Sequence, residues 1–274
     1  MLKSRLRLLA LGGPLTGVSW ALIWTQDTFW NHLFFTGMWT GAALVMYAAG
    51  SRGYPGWRRH LVLLAVSVPL WWWFELVNER VGNWEYIYSQ DYNALEYQLL
   101  ASAAFSTVVP ALHAAWSLTQ GAVSRTARVV PRMSRRSAAT EAMVGASMIA
   151  ATFVVPDQSF PLVWVGPFLL LDGLLGYRGD SSLVNEMING EYRLAVTLGV
   201  AGLICGFLWE FWNFWATPKW VYHVPYFGFL HLFEMPLLGY GGYIPFVWSV
   251  HQLTSLSAFR LVDGHVATVA RRAA

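Results

Sequence analysis

Two carboxylates, Glu75 and Glu210, each lie three residues before an asparagine at the end of an apolar stretch. The first copy of this pattern reads Phe74-Glu75-Leu76-Val77-Asn78 and is followed by Trp84-Glu85-Tyr86. The second reads Trp209-Glu210-Phe211-Trp212-Asn213 and is followed by Trp220-Val221-Tyr222. On a helix, residues three apart share a face, so each copy predicts a carboxyl and an amide side by side. An ionisable group at the edge of a hydrocarbon layer is costly and marks a candidate functional site.

The chemistry of such a pair is general acid–base catalysis. A neutral carboxylic acid in a water-poor pocket donates a proton to a weak base such as an alkene, and an ionised partner later removes one. We therefore predict Glu210 as the proton donor and Glu75 as its partner or the base. The alternative is structural, because each glutamate also accepts hydrogen bonds from neighbouring indoles and so pins helices together.

Other polar groups near the apolar segments are candidates for the same site. Glu234 lies three residues after His231 and is predicted as a third catalytic acid, whereas Glu96 suits the start of a helix, where a carboxylate complements the dipole. Asp172 is predicted to be a solvated or paired residue at a segment edge. The histidines lack the repeated Glu-x-x-His pairs of di-iron bundles. We expect no metal and no cofactor.

Aromatic side chains crowd both copies of the pattern and predict the wall of a binding site. An aromatic ring beside an acid stabilises a carbocation by cation–π attraction, although an interfacial belt of Trp and Tyr is the alternative. The residues predicted to contact a substrate are Asn78, Asn213, Trp73, Trp209, Trp212, Trp220, Tyr222 and His231.

Composition places the chain in a membrane. Of its 274 residues, 56% are hydrophobic and 12% are charged, against about 25% charged in soluble domains. A span needs about 20 apolar residues. We predict eight spans in a multi-pass protein of the cell membrane, at 8–25, 31–49, 60–79, 94–118, 142–156, 160–177, 194–215 and 225–256. The single cysteine, Cys205, excludes an intrachain disulfide.

The distribution of Lys and Arg predicts the orientation. With these spans only Arg80 and Lys219 fall on one side, so the positive-inside rule places both termini and the Arg-rich connection in the cytoplasm. That connection suits anionic lipid rather than nucleic acid. The basic residues predicted to be cytoplasmic are Lys3, Arg5, Arg7, Arg52, Arg58, Arg59, Arg125, Arg128, Arg132, Arg135, Arg136, Arg178, Arg193, Arg260, Arg271 and Arg272.

An internal duplication is predicted from the order of the shared residues. Glu210 follows Glu75 by 135 residues, and Pro245 follows Pro110 by the same number. An even number of spans in each half gives parallel repeats related by an axis along the membrane normal. The predicted fold is an all-α, polytopic helical bundle. Its parts are a first four-span repeat at 1–118, a basic linker at 119–140, a second repeat at 141–259 and a cytoplasmic tail at 260–274.

The order of these motifs resembles that of a known group of membrane enzymes. Trp209-Glu210, Trp220-Val221-Tyr222 and Phe233-Glu234-Met235-Pro236 are similar in order to the motifs of the integral-membrane lycopene cyclase domain. Carotenoid hydratases of the bacterioruberin type and fungal membrane-bound meroterpenoid cyclases share the plan. The resemblance covers 31–118 and 160–256. This chain departs from the cyclase domain at two points. The acid that ends the helix is usually Asp in that domain and is Glu210 here, and the motif that opens the next helix carries adjacent acids there but the single Glu234 here.

The resemblance implies protonation of an isoprenoid double bond, followed by cyclisation or hydration, without a metal or a redox cofactor. It predicts an enzyme of isoprenoid or carotenoid metabolism, a lyase or isomerase such as a terpene cyclase, with a lipophilic isoprenoid substrate and membrane lipid as its partners. A non-catalytic transporter or a pigment- or lipid-binding subunit is the alternative. A haem- or quinone-binding redox protein is a third reading. The oligomeric state stays open.

Overall fold

The computed structural model describes residues 2–123 and 129–256, and the chain in these ranges is mostly helical. The helices are α1 (Leu2–Thr25), α2 (Asn31–Ala49), α3 (Trp57–Val81), α4 (Ala94–Phe105), α5 (Val108–Thr119), α6 (Arg135–Val154), α7 (Pro156–Ser159), α8 (Leu162–Tyr177), α9 (Leu183–Ile188), α10 (Arg193–Asn213) and α11 (Tyr243–Ser255). The predicted tail at 260–274 lies outside the described residues, as do Arg125, Arg128, Arg260, Arg271 and Arg272.

Among residues 2–123 and 129–256, four short strands interrupt the helices. They are β1 (Trp84–Ile87), β2 (Lys219–Tyr222), β3 (His231–Leu232) and β4 (Met235–Pro236), and a 3₁₀ helix at Leu237–Gly242 leads into α11. β1 pairs with β2 and β3 pairs with β4, both antiparallel. The predicted helical class is confirmed, with these two ribbons as additions that apolar periodicity did not indicate.

In the part of the chain that the structure describes, five segments are long and apolar enough to cross a membrane. They are Leu2–Thr25, Trp57–Val81, Ala94–Thr119, Arg135–Val154 and Arg193–Asn213. α8 is apolar but shorter, at 16 residues. Each of the five overlaps a span predicted from the sequence, so the membrane class has a structural basis.

Glycines allow two pairs of neighbouring helices to pack closely. A Cβ on Gly12 of α1 would lie 2.7 Å from the carbonyl oxygen of Gly41 in α2. A Cβ on Gly145 of α6 would lie 2.3 Å from the backbone nitrogen of Leu170 in α8. Small residues at such crossings bring backbones together, which is the usual basis of helix association in membranes.

The predicted fourth span is broken between α4 and α5. The backbone leaves the helix at Ser106 and Thr107, and Pro110 then lies in the first turn of α5, where a missing N–H costs nothing. The Ser67 hydroxyl donates to the Phe105 carbonyl at 2.5 Å and accepts from the Val109 amide at 3.0 Å. One side chain from α3 thus satisfies the backbone groups that the break exposes.

The predicted eighth span, 225–256, is wrong in its first half. Only α11 is helical there, while 225–242 contains β3, β4 and the 3₁₀ helix. Pro225 and Pro236 lack amide hydrogens, and Gly239, Gly241 and Gly242 favour irregular backbone, so this apolar stretch does not hold an α-helix. Pro245 lies in the first turn of α11, as Pro110 does in α5.

Contacts between loops place the connections at two ends of the bundle. At one end Arg5 donates to the Gly50 carbonyl, Ser51 to that of Ser117, and Arg193 to that of Gln120. At the other end Asn31 donates to the Thr217 carbonyl and Arg80 to that of Phe153. We name these the basic end and the aromatic end. Among the described residues, the basic end carries Lys3, Arg5, Arg7, Arg52, Arg58, Arg59, Arg132, Arg135, Arg136, Arg178 and Arg193.

The α6–α8 crossing predicts a difference between two glycine substitutions. Gly145→Ala is expected to destabilise the protein by about 1–3 kcal/mol, because the new methyl group meets backbone atoms that cannot move aside. Gly13→Ala is the matched control, since no atom lies within 4 Å of its added Cβ, and alanine there gains about 1 kcal/mol of helix propensity. Thermal unfolding in detergent measures both, and equal midpoints would contradict the packing described.

Candidate functional site: an aromatic cavity beneath a two-stranded ribbon

The two Trp-x-Tyr segments pair directly with each other. β1 and β2 run antiparallel with Trp84 opposite Tyr222 and Tyr86 opposite Trp220. Because side chains alternate along a strand, these four rings share one face of the ribbon. Glu85 projects from the other face and contacts the His223 imidazole at 2.8 Å. The ribbon therefore has an aromatic inner face and a polar outer face.

Each strand is tied to the helix before it by the asparagine of the repeated pattern. The Asn78 amide donates to the Trp84 carbonyl at 2.7 Å, and its oxygen accepts from the Asn83 and Trp84 backbone amides. The Asn213 amide donates to the Trp220 carbonyl at 2.7 Å, and its oxygen accepts from the Trp220 backbone amide at 2.9 Å. Both asparagines thus fix the start of a strand against the end of a helix.

Glu75 is held by three aromatic donors. Its Oε1 accepts from the Trp71 indole at 2.7 Å, from the Tyr86 hydroxyl at 2.6 Å and from the Trp84 indole at 3.3 Å. Two of these donors come from β1 and one comes from the preceding turn of α3. The carboxyl therefore joins the ribbon to the helix that carries it.

Glu210 is fully buried and is held by two tyrosines. Its Oε1 accepts from the Tyr222 and Tyr243 hydroxyls, each at 2.7 Å, and the Trp220 indole donates to the Tyr222 hydroxyl at 2.8 Å. Within the described part of the chain, Oε2 of Glu210 has no hydrogen-bond partner. Each carboxyl group thus accepts from a tyrosine of the strand that follows it, Tyr86 for Glu75 and Tyr222 for Glu210. The other donors to the two groups differ.

A difference in side-chain size one helical turn before each glutamate explains why the two acids have different donors. Trp71 lies four residues before Glu75, and Gly206 lies four residues before Glu210. A Cβ on Gly206 would lie 2.3 Å from the Tyr243 ring, so the absent side chain leaves the space that this ring fills. At the start of α5, Val108 corresponds to Tyr243, since each lies two residues before a proline. The Trp71 indole therefore donates to Glu75, and the Tyr243 phenol donates to Glu210 from the corresponding position.

The inner face of the ribbon covers a cavity of about 420 Å³ at the aromatic end. This volume falls within the range of small-molecule sites, which are mostly apolar. The lining includes Trp71, Trp84, Tyr86, Trp209, Trp220, Tyr222, Tyr243, Trp164, Phe105 and Phe246. Phe74 and Phe246 pack edge to face behind it. Aromatic rings and apolar side chains thus form most of the wall.

The carboxyl groups lie behind this wall. Neither Glu75 nor Glu210 lines the cavity, whereas the phenols and indoles that donate to them do. Burial raises the pKa of the Tyr86 and Tyr222 phenols well above its usual range. Both phenols therefore stay protonated near neutral pH and connect each acid to the cavity through one hydroxyl group.

Some of the residues predicted from the sequence line the cavity and others do not. Trp209, Trp220 and Tyr222 line it. Trp73 packs against Phe74 and does not, because a helix turns about 100° per residue and it is Trp71 that faces inward. Trp212 is buried against Trp39, outside the lining. Asn78 and Asn213 serve as backbone clamps and do not contact the cavity.

Glu234 and His231 do not share a helical face as predicted. Both lie in the β3–β4 hairpin, where Glu234 forms an ion pair with Lys219 and His231 is exposed. Because this stretch forms a hairpin and not a helix, a spacing of three residues does not place the two side chains on one face. Glu96 completes a capping box with Asn93 at the start of α4, which confirms its predicted role at a helix end.

Asp172 was predicted to be either solvated or paired. It is fully buried, and its carboxyl group is held by hydrogen-bond donors. It accepts from the Ser182 hydroxyl at 2.6 Å and from the Leu183 amide at 2.7 Å. The carboxylate thus holds the start of α9 against α8. Across residues 2–123 and 129–256, His, Cys, Asp and Glu side chains form no group able to hold a metal ion.

Sequence reasoning missed most of the cavity lining, including three residues that hold the acids or the wall. Tyr243 completes the donors to Glu210, Trp71 completes those to Glu75, and Trp164 stacks with Phe74 at 5.1 Å. Trp71 had a signal, since it lies one helical turn before Glu75. For Tyr243 the sequence offered one weak signal, its position two residues before Pro245, because proline is common in the first turn of a helix.

Comparisons with family models, with curated proteins and with solved structures gave no match to this chain.

The asparagine clamps predict a specific loss of stability. Asn78→Ala and Asn213→Ala are each expected to cost about 1–3 kcal/mol, because each leaves buried backbone groups without a partner. Asn189→Ala is the control, since its amide bonds only within α9 and is partly exposed. Unfolding midpoints in detergent report the effect, and clamp variants as stable as the control would disprove the assigned role.

Proposed function

We propose that this protein is a multi-pass protein of the cell membrane that binds a lipophilic isoprenoid in the aromatic cavity and protonates one of its double bonds. The observation that carries the proposal is the pair of carboxyl groups, Glu210 fully buried and Glu75 half-buried, each linked to the cavity by the hydroxyl of a lining tyrosine. An apolar pocket with a few placed polar atoms is the usual form of a small-molecule site.

The proposed orientation rests on the two ends of the bundle. The basic end carries most of the described Lys and Arg residues, so the positive-inside rule places it in the cytoplasm. The cavity then opens near the outer leaflet. We also propose eight spans in two parallel repeats, the eighth being only partly helical. Corresponding contacts of Asn78 and Asn213, and corresponding prolines in α5 and α11, support that arrangement.

The proposed reaction begins at Glu210. The Tyr243 or Tyr222 hydroxyl gives its proton to a double bond and regains one from the Glu210 carboxyl. The π electrons form the new C–H bond, which leaves a positive carbon that the indoles and phenols of the wall stabilise by cation–π attraction.

The reaction ends in one of two ways. Loss of a neighbouring proton through Tyr86 to Glu75, after ring closure, gives an isomer of the same mass. Addition of water to the positive carbon, followed by loss of the extra proton through Tyr86 to Glu75, gives a hydrated product. In both routes a proton then returns from Glu75 to Glu210 through bulk water, which restores the starting protonation of the two acids. Neither route changes the oxidation state of the protein or needs a redox partner. The cavity volume suits the reacting end of a long isoprenoid, with the rest of the chain extending outside.

The second candidate function is binding without chemistry, as in a transporter or a pigment- or lipid-carrying subunit. The observation that favours it is that no carboxyl oxygen of Glu75 or Glu210 lines the cavity. In that case the acids serve to hold the aromatic wall in place, and the bound isoprenoid leaves unchanged.

Substitution of the acids tests the proposed reaction. Expressed in a bacterial host that makes lycopene and shorter isoprenyl lipids, the protein is expected to yield a cyclised or hydrated product, detected by liquid chromatography and mass spectrometry. Glu210→Gln is expected to lower its amount by about 10²–10⁴-fold, the usual contribution of a general acid. Tyr243→Phe and Glu75→Gln are expected to lower it as well.

Two matched variants serve as controls. Glu96→Gln changes a carboxyl that caps α4, and Tyr240→Phe removes a hydroxyl that donates to the Leu232 carbonyl outside the cavity. Both are expected to keep full activity. Full activity in a folded Glu75→Gln/Glu210→Gln double variant would disprove the acid–base assignment. Unaltered isoprenoid co-purifying with every variant, and no new product, would favour the binding function.

A further inference from the structure

The segment that follows β2 and includes the first two residues of the 3₁₀ helix, residues 224–238, turns an apolar surface away from the protein. Tyr226 is 69% exposed, Leu230 is 71% exposed and Leu238 is 63% exposed. Phe229, Leu232 and Leu237 are exposed beside them. Contiguous apolar surface of this kind marks contact with a partner or a membrane. We name this segment the outer loop.

The backbone of the outer loop is paired largely within itself. β3 and β4 form a hairpin, with Leu232 opposite Met235, and the Leu237 amide donates to the Leu230 carbonyl at 2.9 Å. The Phe227 amide donates to the Pro225 carbonyl at 2.8 Å. Irregular backbone is costly in hydrocarbon because its polar groups lack partners, and these bonds reduce that cost at the boundary of a bilayer.

Two contacts anchor the outer loop at one side. The Phe233 ring lies 5.6–5.7 Å from the rings of Phe207, Phe211 and Phe214 on and just after α10. Glu234 pairs with Lys219 of β2. At its other side the loop meets the α7–α8 corner through Phe227, whose ring lies 6.3 Å from that of Phe160.

The opposite face of the outer loop is part of the cavity wall. Val224, Phe227, Met235 and Leu238 line the cavity, and both Phe227 and Leu238 are also exposed. One mouth of the cavity therefore lies where these two apolar side chains reach the surface. Tyr88 is exposed at another part of the lining.

We infer that the outer loop lies at the boundary between headgroups and acyl chains of the outer leaflet, and that the mouth beside Phe227 opens the cavity to the bilayer. A lipophilic ligand then passes between membrane and cavity without crossing water. The inference rests on the membrane placement in the proposed function, and it holds whether or not the ligand is chemically changed.

Lipid rather than a second copy of the chain is the partner that fits this surface. A partner copy covers one face of a protein, whereas acyl chains surround it. Exposed apolar side chains continue beyond the outer loop onto other elements near the aromatic end, namely Trp30, Leu76, Leu95, Leu99, Phe207 and Trp215. Exposed Trp and Tyr among them are typical of the membrane interface.

Single cysteines placed at four positions test the inference. Leu230→Cys marks the outer surface of the loop and Phe227→Cys marks the mouth. Val200→Cys, on an exposed position of α10, is the lipid reference, and Glu85→Cys, on the outer face of the ribbon, is the water reference. The native Cys205 is fully buried, so unsubstituted protein measures background labelling. Each variant carries an environment-sensitive fluorophore and is reconstituted in phosphatidylcholine vesicles.

The expected result is loss of emission at Leu230, Phe227 and Val200 with brominated acyl chains, and little loss with aqueous iodide. Glu85 is expected to show the reverse. Quenching by iodide at either loop position would overturn the inference, as would a position protected from both quenchers, which indicates a protein partner. If Val200 also failed to respond to brominated lipid, the membrane placement itself would be wrong and this inference with it.

Discussion

The antiparallel pairing of the two Trp-x-Tyr segments is the contact on which the rest of the aromatic end depends. Trp84 and Tyr222 face each other across the ribbon although they lie 138 residues apart in sequence. Each strand is fixed to its own helix by an asparagine that satisfies both the amide and the carbonyl of the backbone. The ribbon therefore joins α3 to α10 and holds four aromatic rings over one cavity.

Placing a fully buried and a half-buried carboxyl group beneath this ribbon poses a polarity problem that aromatic donors solve. Indole N–H and phenol O–H groups satisfy a carboxyl oxygen while presenting an apolar ring to the other side. Glu75 and Glu210 are both held in this way, so the groups that stabilise the fold are also those that link the acids to the cavity. Structural and catalytic roles for these glutamates are consequently compatible.

The two acids are not equivalent, and the reason is a difference in side-chain volume one helical turn away. Trp71 places an indole beside Glu75, while Gly206 leaves room for the Tyr243 ring beside Glu210. Two phenols on one acid, against two indoles and one phenol on the other, give the halves of the site different proton donors. In the proposed reaction this difference separates the acid that gives a proton from the one that takes it.

The sequence by itself determined the apolar, mostly helical class of the protein and the position of most helices, because apolar length acts within one segment. The repeated pattern also predicted Trp209, Trp220 and Tyr222, which line the cavity. The tertiary structure decided what depends on distant contacts. These are the pairing of β1 with β2, the inward position of Trp71 instead of Trp73, and the hairpin in which Glu234 pairs with Lys219. An apolar run does not distinguish a helix from a hairpin whose backbone is paired internally, and only the packing of neighbouring elements selects between them.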